Sequence, residues 1–246
     1  MIKVVEIWRH PIKSHGREAL NTVAVTAGQT LPLDRAWAVA HDQTDVDGSE
    51  WASCTNFSRG AKAPSLMAIN AEWDDYNHLM TLTHPSKEPL SFDPDSEGAK
   101  LIEWTKGMVP ENRAQSARLV RAQQSGMTDT DYPSISIGNM ATHRAIEQKH
   151  GRPLSNLRWR CNIWVDGAAP WEEFEWIGKN IHIGGVTFEI KDPVTRCLAT
   201  TANPETGARD ADTLAVLNTW DHQEMTVYGV ASASGQIAIG DKLQVM

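Results

Sequence analysis

The chain has 246 residues, with 31 acidic and 23 basic side chains and a formal net charge of −8. That balance argues against nucleic-acid binding, which needs a basic face, and against polybasic attachment to a membrane. Hydrophobic residues at 41% and charged residues at 22% exclude wholesale disorder.

In chain order, Met1-Ile2-Lys3-Val4-Val5-Glu6 lacks the apolar stretch of a signal peptide. No later run approaches the roughly 18 to 20 apolar residues of a membrane span, so a cytoplasmic protein is expected. Lys3 to Trp8 reads as a first strand that stops at His10-Pro11. Val23 to Thr26 follows, then Arg35 to His41, entered through Pro32. His78 to Thr83 alternates and stops at His84-Pro85. The Pro, Ser, Asp and Glu between Ser86 and Gly98 predict a surface loop. Ser96 is placed to cap a helix over Ala99 to Trp104, closed by Gly107. The polar, turn-rich stretch from Glu111 to Asp131 is the best boundary region and divides the chain into residues 1–115 and 116–246.

Beyond it lies the clearest helix. Asn139 suits the N-cap, Ala141 to Lys149 are helix formers, Gly151 sits at the end and Pro153 blocks continuation. Strand signals return at Cys161 to Val165, Ile181 to Ile183 and Val186 to Ile190, the last two joined through Gly184-Gly185 as a hairpin. A short helix is expected from Asp212 to Trp220, then closing strands at Met225 to Val230 and Gln236 to Ile239. Many short strands with few helices predict an α+β, predominantly β fold of barrel type.

Familiar catalytic signatures are absent from the sequence. There is no phosphate loop, no Gly-x-Gly-x-x-Gly after a strand and no nucleophile elbow. The acidic run from Asp42 to Gly48 fails as a calcium loop, because Cys54 falls where a bidentate Glu is required. Nine histidines include no zinc-like pair. Three cysteines, Cys54, Cys161 and Cys197, form neither a disulfide framework nor a Cys-x-x-Cys motif. Two regions remain. The turn His10-Pro11-Ile12-Lys13-Ser14-His15-Gly16 offers a cation, a hydroxyl and exposed backbone N–H groups. That suits an anion, and it equally suits a plain surface turn. In Thr195-Arg196-Cys197 a guanidinium beside the thiol would favour the thiolate, the form that binds metal or attacks; the alternative is a small apolar residue.

At these residues the chain resembles proteins with the MOSC domain (the C-terminal domain of molybdenum cofactor sulfurase) and its N-terminal β-barrel partner. The resemblance runs through Pro11-Ile12-Lys13-Ser14, Asp34-Arg35 and Asp131-Tyr132-Pro133. It continues through Trp159-Arg160-Cys161-Asn162, Arg196-Cys197, Thr200-Thr201 and Pro204-Glu205-Thr206-Gly207. It implies a β-barrel MOSC domain packed with an N-terminal β-barrel domain, and a pyranopterin–molybdenum cofactor; pyridoxal phosphate is not expected. Cys197 would be the thiolate ligand to the metal and the catalytic residue. Lys13, Ser14, Arg35, Arg160, Asn162, Thr200 and Tyr228 would bind the cofactor. The amidoxime- and hydroxylamine-reducing relatives imply reduction of small N-hydroxylated substrates with electrons from separate electron-transfer proteins. The alternative is a cofactor carrier or sulfur-transfer protein working through Cys197. Cys161 departs from the pattern, which has proline there; it is either a buried small residue or a second thiol in the pocket wall.

Overall fold

The computed structural model describes residues 1–246, and strands dominate it. The first half carries β1 (Lys3–Arg9), β2 (Glu18–Leu20), β3 (Thr22–Val25) and β4 (Trp37–His41). Then come β5 (Asn70–Asp74), β6 (Leu79–His84), β7 (Lys87–Phe92), helix α1 (Gly98–Trp104) and β8 (Ser116–Arg121). The second half carries β9 (Ile135–Asn139), helix α2 (Met140–His150), β10 (Ile163–Asp166), β11 (Asn180–Ile183) and β12 (Val186–Thr195). It ends with α3 (Thr213–Asn218), β13 (Glu224–Ala231), β14 (Gly235–Ala238) and β15 (Leu243–Val245). No helix is long and apolar enough to cross a membrane.

Eight strands form one sheet in the order β15-β11-β12-β13-β9-β10-β1-β2. Its inward residues, among them Val4, Ile7, Ile137, Phe188 and Val227, make the larger core. The ladders do not complete a ring. Three backbone hydrogen bonds, Val4 N to Asp241 O, Gly240 N to Val4 O and Leu243 N to Ile2 O, tie β1 to the segment that leads into β15. A second core gathers Ile12, Trp37, Leu66, Met80, Phe92 and Leu101 under β4 and the β5–β6–β7 meander. The halves interlock: β1 and β2 join the sheet built mainly by the second half, and β14 pairs with β3.

Local chemistry explains several boundaries. The Asn139 side chain accepts a 3.0 Å hydrogen bond from Ala141 N, and Gly151, at φ +81°, ends α2 in the left-handed region. Gly184, at φ +56°, turns the β11–β12 hairpin. Asp212 caps α3 through Ala215 N. Other expectations are corrected. Ser96 does not cap α1: its hydroxyl donates to Asp93 Oδ2, and Glu97 holds the cap position without a side-chain bond. The expected loop after Ser86 contains β7, whose mostly outward side chains and Pro89 hide an edge strand. The polar stretch from Glu111 to Asp131 contains β8, where only Val120 is fully buried.

Candidate functional site

A cavity of about 470 Å³ opens between the two halves. Its walls include the turn after β1, the segment before β4, residues 59–62, the residues leading into β10, Tyr228 on β13, and the end of β12 with Cys197 to Thr200 beyond it. Of the residues singled out in the sequence, Lys13, Ser14, Arg35, Arg160, Cys197, Thr200 and Tyr228 line it. Asn162 does not. It is buried, its Oδ1 accepting from Ser136 N and Oγ and its Nδ2 donating to Trp8 O, so it fixes the strands behind the cavity. Ser14, Arg35 and Arg160 all have positive φ, at 63°, 53° and 47°. Such strained backbone is held only where the surrounding structure fixes it, and it clusters at functional sites.

The inner end is built from guanidinium groups. Arg35 pairs with buried Asp34 and donates from Nη2 to Arg160 O at 3.1 Å. Burial alone would raise the Asp34 carboxyl; Arg35 and the hydrogen bonds from His10 outweigh it and hold it far below the usual carboxylate range. Arg160 donates from Nη2 to Gly16 O at 3.1 Å and has no carboxylate in salt-bridge reach. Desolvation, with repulsion from Arg35 and Arg17, pushes its pKa down to about 9. Desolvation also drives His10 to about 3 and His15 to about 4, leaving both neutral beside these cations. Buried Arg158 pairs with Asp210 at 2.6 Å, and its Nε has no partner. A desolvated cation without a counter-ion and an orphaned donor both call for an anion.

Lys13 plays a different part from the one expected. Its Nζ donates to Met127 O at 2.8 Å, Thr128 O at 3.1 Å and Asp129 Oδ1 at 2.5 Å. All three protons are engaged, so Lys13 fastens the 127–129 segment to the cavity wall. Arg196 likewise turns inward, donating to Met225 O, Trp159 O and Thr226 Oγ1, and none of its hydrogen bonds reaches Cys197. It forms the floor rather than touching the thiol.

Cys197 is exposed at the end of β12. Buried Thr200 closes the turn behind it, its hydroxyl donating to Cys197 O at 3.0 Å. Tyr228, on β13, has its phenol pushed up to about 12, by burial first and by Asp129 second, so it stays protonated as a donor. Cys161 is the buried alternative: it contacts Ser136 O and Ile163 O, and burial lifts its thiol to about 12. Sequence reasoning did not single out Arg158, Asp129, Ser136 or Lys62, which also line the cavity. They lie outside the motifs, and only folding brings them there.

The signature Pro204-Glu205-Thr206-Gly207 works from outside the cavity. Gly207 has φ +73°, and a Cβ there would stand 2.7 Å from Ser65 Cα. Arg17 Nη2 donates to Pro204 O and its Nη1 to Met67 O, stapling this loop to the first half. Gly207→Ala is therefore expected to cost about 2 kcal/mol or more, from left-handed strain plus the clash, seen as a lowered Tm.

The fold and the cavity define a β-rich protein with a cationic, thiol-bearing cleft between two interlocked halves. The chain belongs to the MOSC family: residues 1–132 match the MOSC N-terminal beta barrel domain, and residues 129–244 match the MOSC domain. It is 24% identical over 251 residues to a molybdenum cofactor sulfurase of Caenorhabditis elegans, covering 92% of this chain and 33% of that protein. It is 22% identical over 274 residues to mitochondrial amidoxime-reducing component 1 of Mus musculus, covering 95% of this chain and 76% of that protein. The chain thus spans about a third of the sulfurases it matches. The YUAD protein from Bacillus subtilis aligns over the whole chain and 96% of its own, at 10% identity and TM-score 0.42.

Proposed function

We propose that this protein binds a pyranopterin–molybdenum cofactor and is an oxidoreductase that removes oxygen from small N-hydroxylated compounds, with electrons from a separate carrier protein. The observation that carries the reading is one cavity holding both an exposed thiol, Cys197, and a desolvated guanidinium without a counter-ion, Arg160. The residues present fit such a group. The cavity volume is within the range of small-molecule sites, and the thiol is a soft ligand suited to a transition metal. Arg160 has its one side-chain hydrogen bond to a backbone carbonyl and no salt bridge, and the Arg158 Nε lacks a partner.

When bound, the cofactor would supply two-electron oxygen-atom chemistry. Cys197 would hold the metal, and Arg160 with Arg35 and Ser14 would take the phosphate. No three His, Cys, Asp or Glu side chains converge on a metal site, so the remaining metal ligands would come from the cofactor. Tyr228 would present its phenolic O–H to the cavity. Lys13, through its grip on residues 127–129, would keep Asp129 in the wall.

A second reading has its own support. Exposure of Cys197 suits a thiol that hands over its load, and several relatives are named as sulfurases. In that reading Cys197 carries a persulfide or holds the cofactor until delivery. Protein made in a cofactor-competent host separates the two. Retained molybdenum with reduction of an amidoxime by an artificial electron donor supports the oxidoreductase. Sulfane sulfur on Cys197 with no turnover replaces it with the carrier.

A further inference from the structure

The cavity carries a second group of cations, at the end occupied by Cys197. Arg209 ties the segment after Cys197 to the first half, contacting Leu198 O and Thr201 Oγ1 from Nη1 and Ala61 O from Nη2 at 2.8 Å. A Cβ on Gly60 would lie 3.4 Å from the Ala199 Cβ. Residues 59–62 therefore form the wall beside the thiol, and Arg59 and Lys62 line the cavity there. Neither has a carboxylate in salt-bridge reach. The one side-chain hydrogen bond of Arg59 goes to Cys54 Sγ at 2.9 Å, a weak acceptor, and exposed Lys62 makes none. This pair is distinct from Arg35 and Arg160, which are linked to each other and to Gly16 at the inner end.

We infer that Arg59 and Lys62 select substrates bearing an anionic group, a carboxylate or a phosphate, and steer them to the Cys197 end of the cavity. The inference rests on the oxidoreductase reading. With the cofactor's phosphate at Arg160 and its metal at Cys197, the cations of residues 59–62 would be left for the substrate on the wall beside the thiol. Their charge is not offset by protein carboxylates. In a chain of net charge −8, such a local cationic wall concentrates anions against the prevailing field. Arg59 supplies a planar fork for an oxyanion, and Lys62 supplies a mobile point charge.

The test compares three probes on molybdenum-loaded protein: benzamidoxime, its 4-carboxy derivative and its 4-phosphono derivative. Turnover is driven by an artificial reductant, and Kd is measured by calorimetry with the reductant omitted. The charged probes are expected to bind about tenfold more tightly than the uncharged one at low salt, an advantage that shrinks at high salt. Which charged probe binds better identifies the anionic group. Lys62→Gln and Arg59→Gln should each cut the advantage about threefold; Lys62 is exposed, so its variant keeps the test valid if the Arg59 variant misfolds. Equal Kd for all three probes, or an advantage unchanged in Lys62→Gln, overturns the inference and leaves amidoxime reduction standing. Charge-selective binding with no turnover of any probe leaves the anion site and overturns the reduction.

Discussion

Cys197→Ser is expected to purify without molybdenum from a cofactor-competent host, whereas Cys54→Ser keeps the metal content of the parent. Both cysteines line the same cavity, so the contrast tests which sulfur is the ligand. Cys197 stands exposed at the end of β12 with its carbonyl fixed by the Thr200 hydroxyl. Cys54 sits next to Arg59, which already engages its sulfur at 2.9 Å. A serine hydroxyl is a hard, poorly ionised donor where a soft thiolate is wanted, so the loss should be near complete. The Cys197 variant should fold normally, because an exposed side chain contributes little to packing. Elemental analysis of the two variants, with Tm as the check on folding, decides the matter. Equal molybdenum in Cys197→Ser and the parent removes the ligand assignment.

The contrast also shows what the sequence could disclose. Residues whose role depends on type and local order were legible: Asn139 as a cap, Gly184 in its hairpin, the alternation of β12 and β13, and Cys197 behind its strand. Roles that depend on where a side chain turns were not. Lys13 read as a cation for a ligand, yet its three protons go to Met127, Thr128 and Asp129, partners more than a hundred residues away. Arg196 read as the activator of Cys197 because it precedes it. It does line the same cavity and lies within electrostatic reach of the thiol, but its hydrogen bonds go to Trp159, Met225 and Thr226 rather than to the sulfur. Asn162 sits in the right motif but faces the strands rather than the cavity. β7 and β8 escaped notice because edge and half-exposed strands carry polar side chains that read as loop.

Arg160→Ala should lower cofactor occupancy by about tenfold or more, since a charge-assisted hydrogen bond contributes about 1.5–3 kcal/mol. The same change should cost the empty chain little. Arg160 is a desolvated cation with no counter-ion, and the bond lost from Gly16 O contributes only about 1 kcal/mol. A phosphate titration separates the two effects. Burial and the neighbouring Arg35 and Arg17 disfavour the charged form of Arg160 in the folded chain, and arginine keeps its proton in proteins. The anion-free protein therefore carries this penalty throughout the working pH range. An anion bound at Arg160 favours the charged form and offsets that penalty. Inorganic phosphate should thus raise the Tm of the parent near pH 7. In Arg160→Ala the phosphate shift should be largely gone. Arg160→Lys keeps a charge but loses the planar fork, so it should fall between the two. A phosphate shift of the same size in Arg160→Ala and the parent would place the anion elsewhere and dissolve the link between this guanidinium and the cofactor.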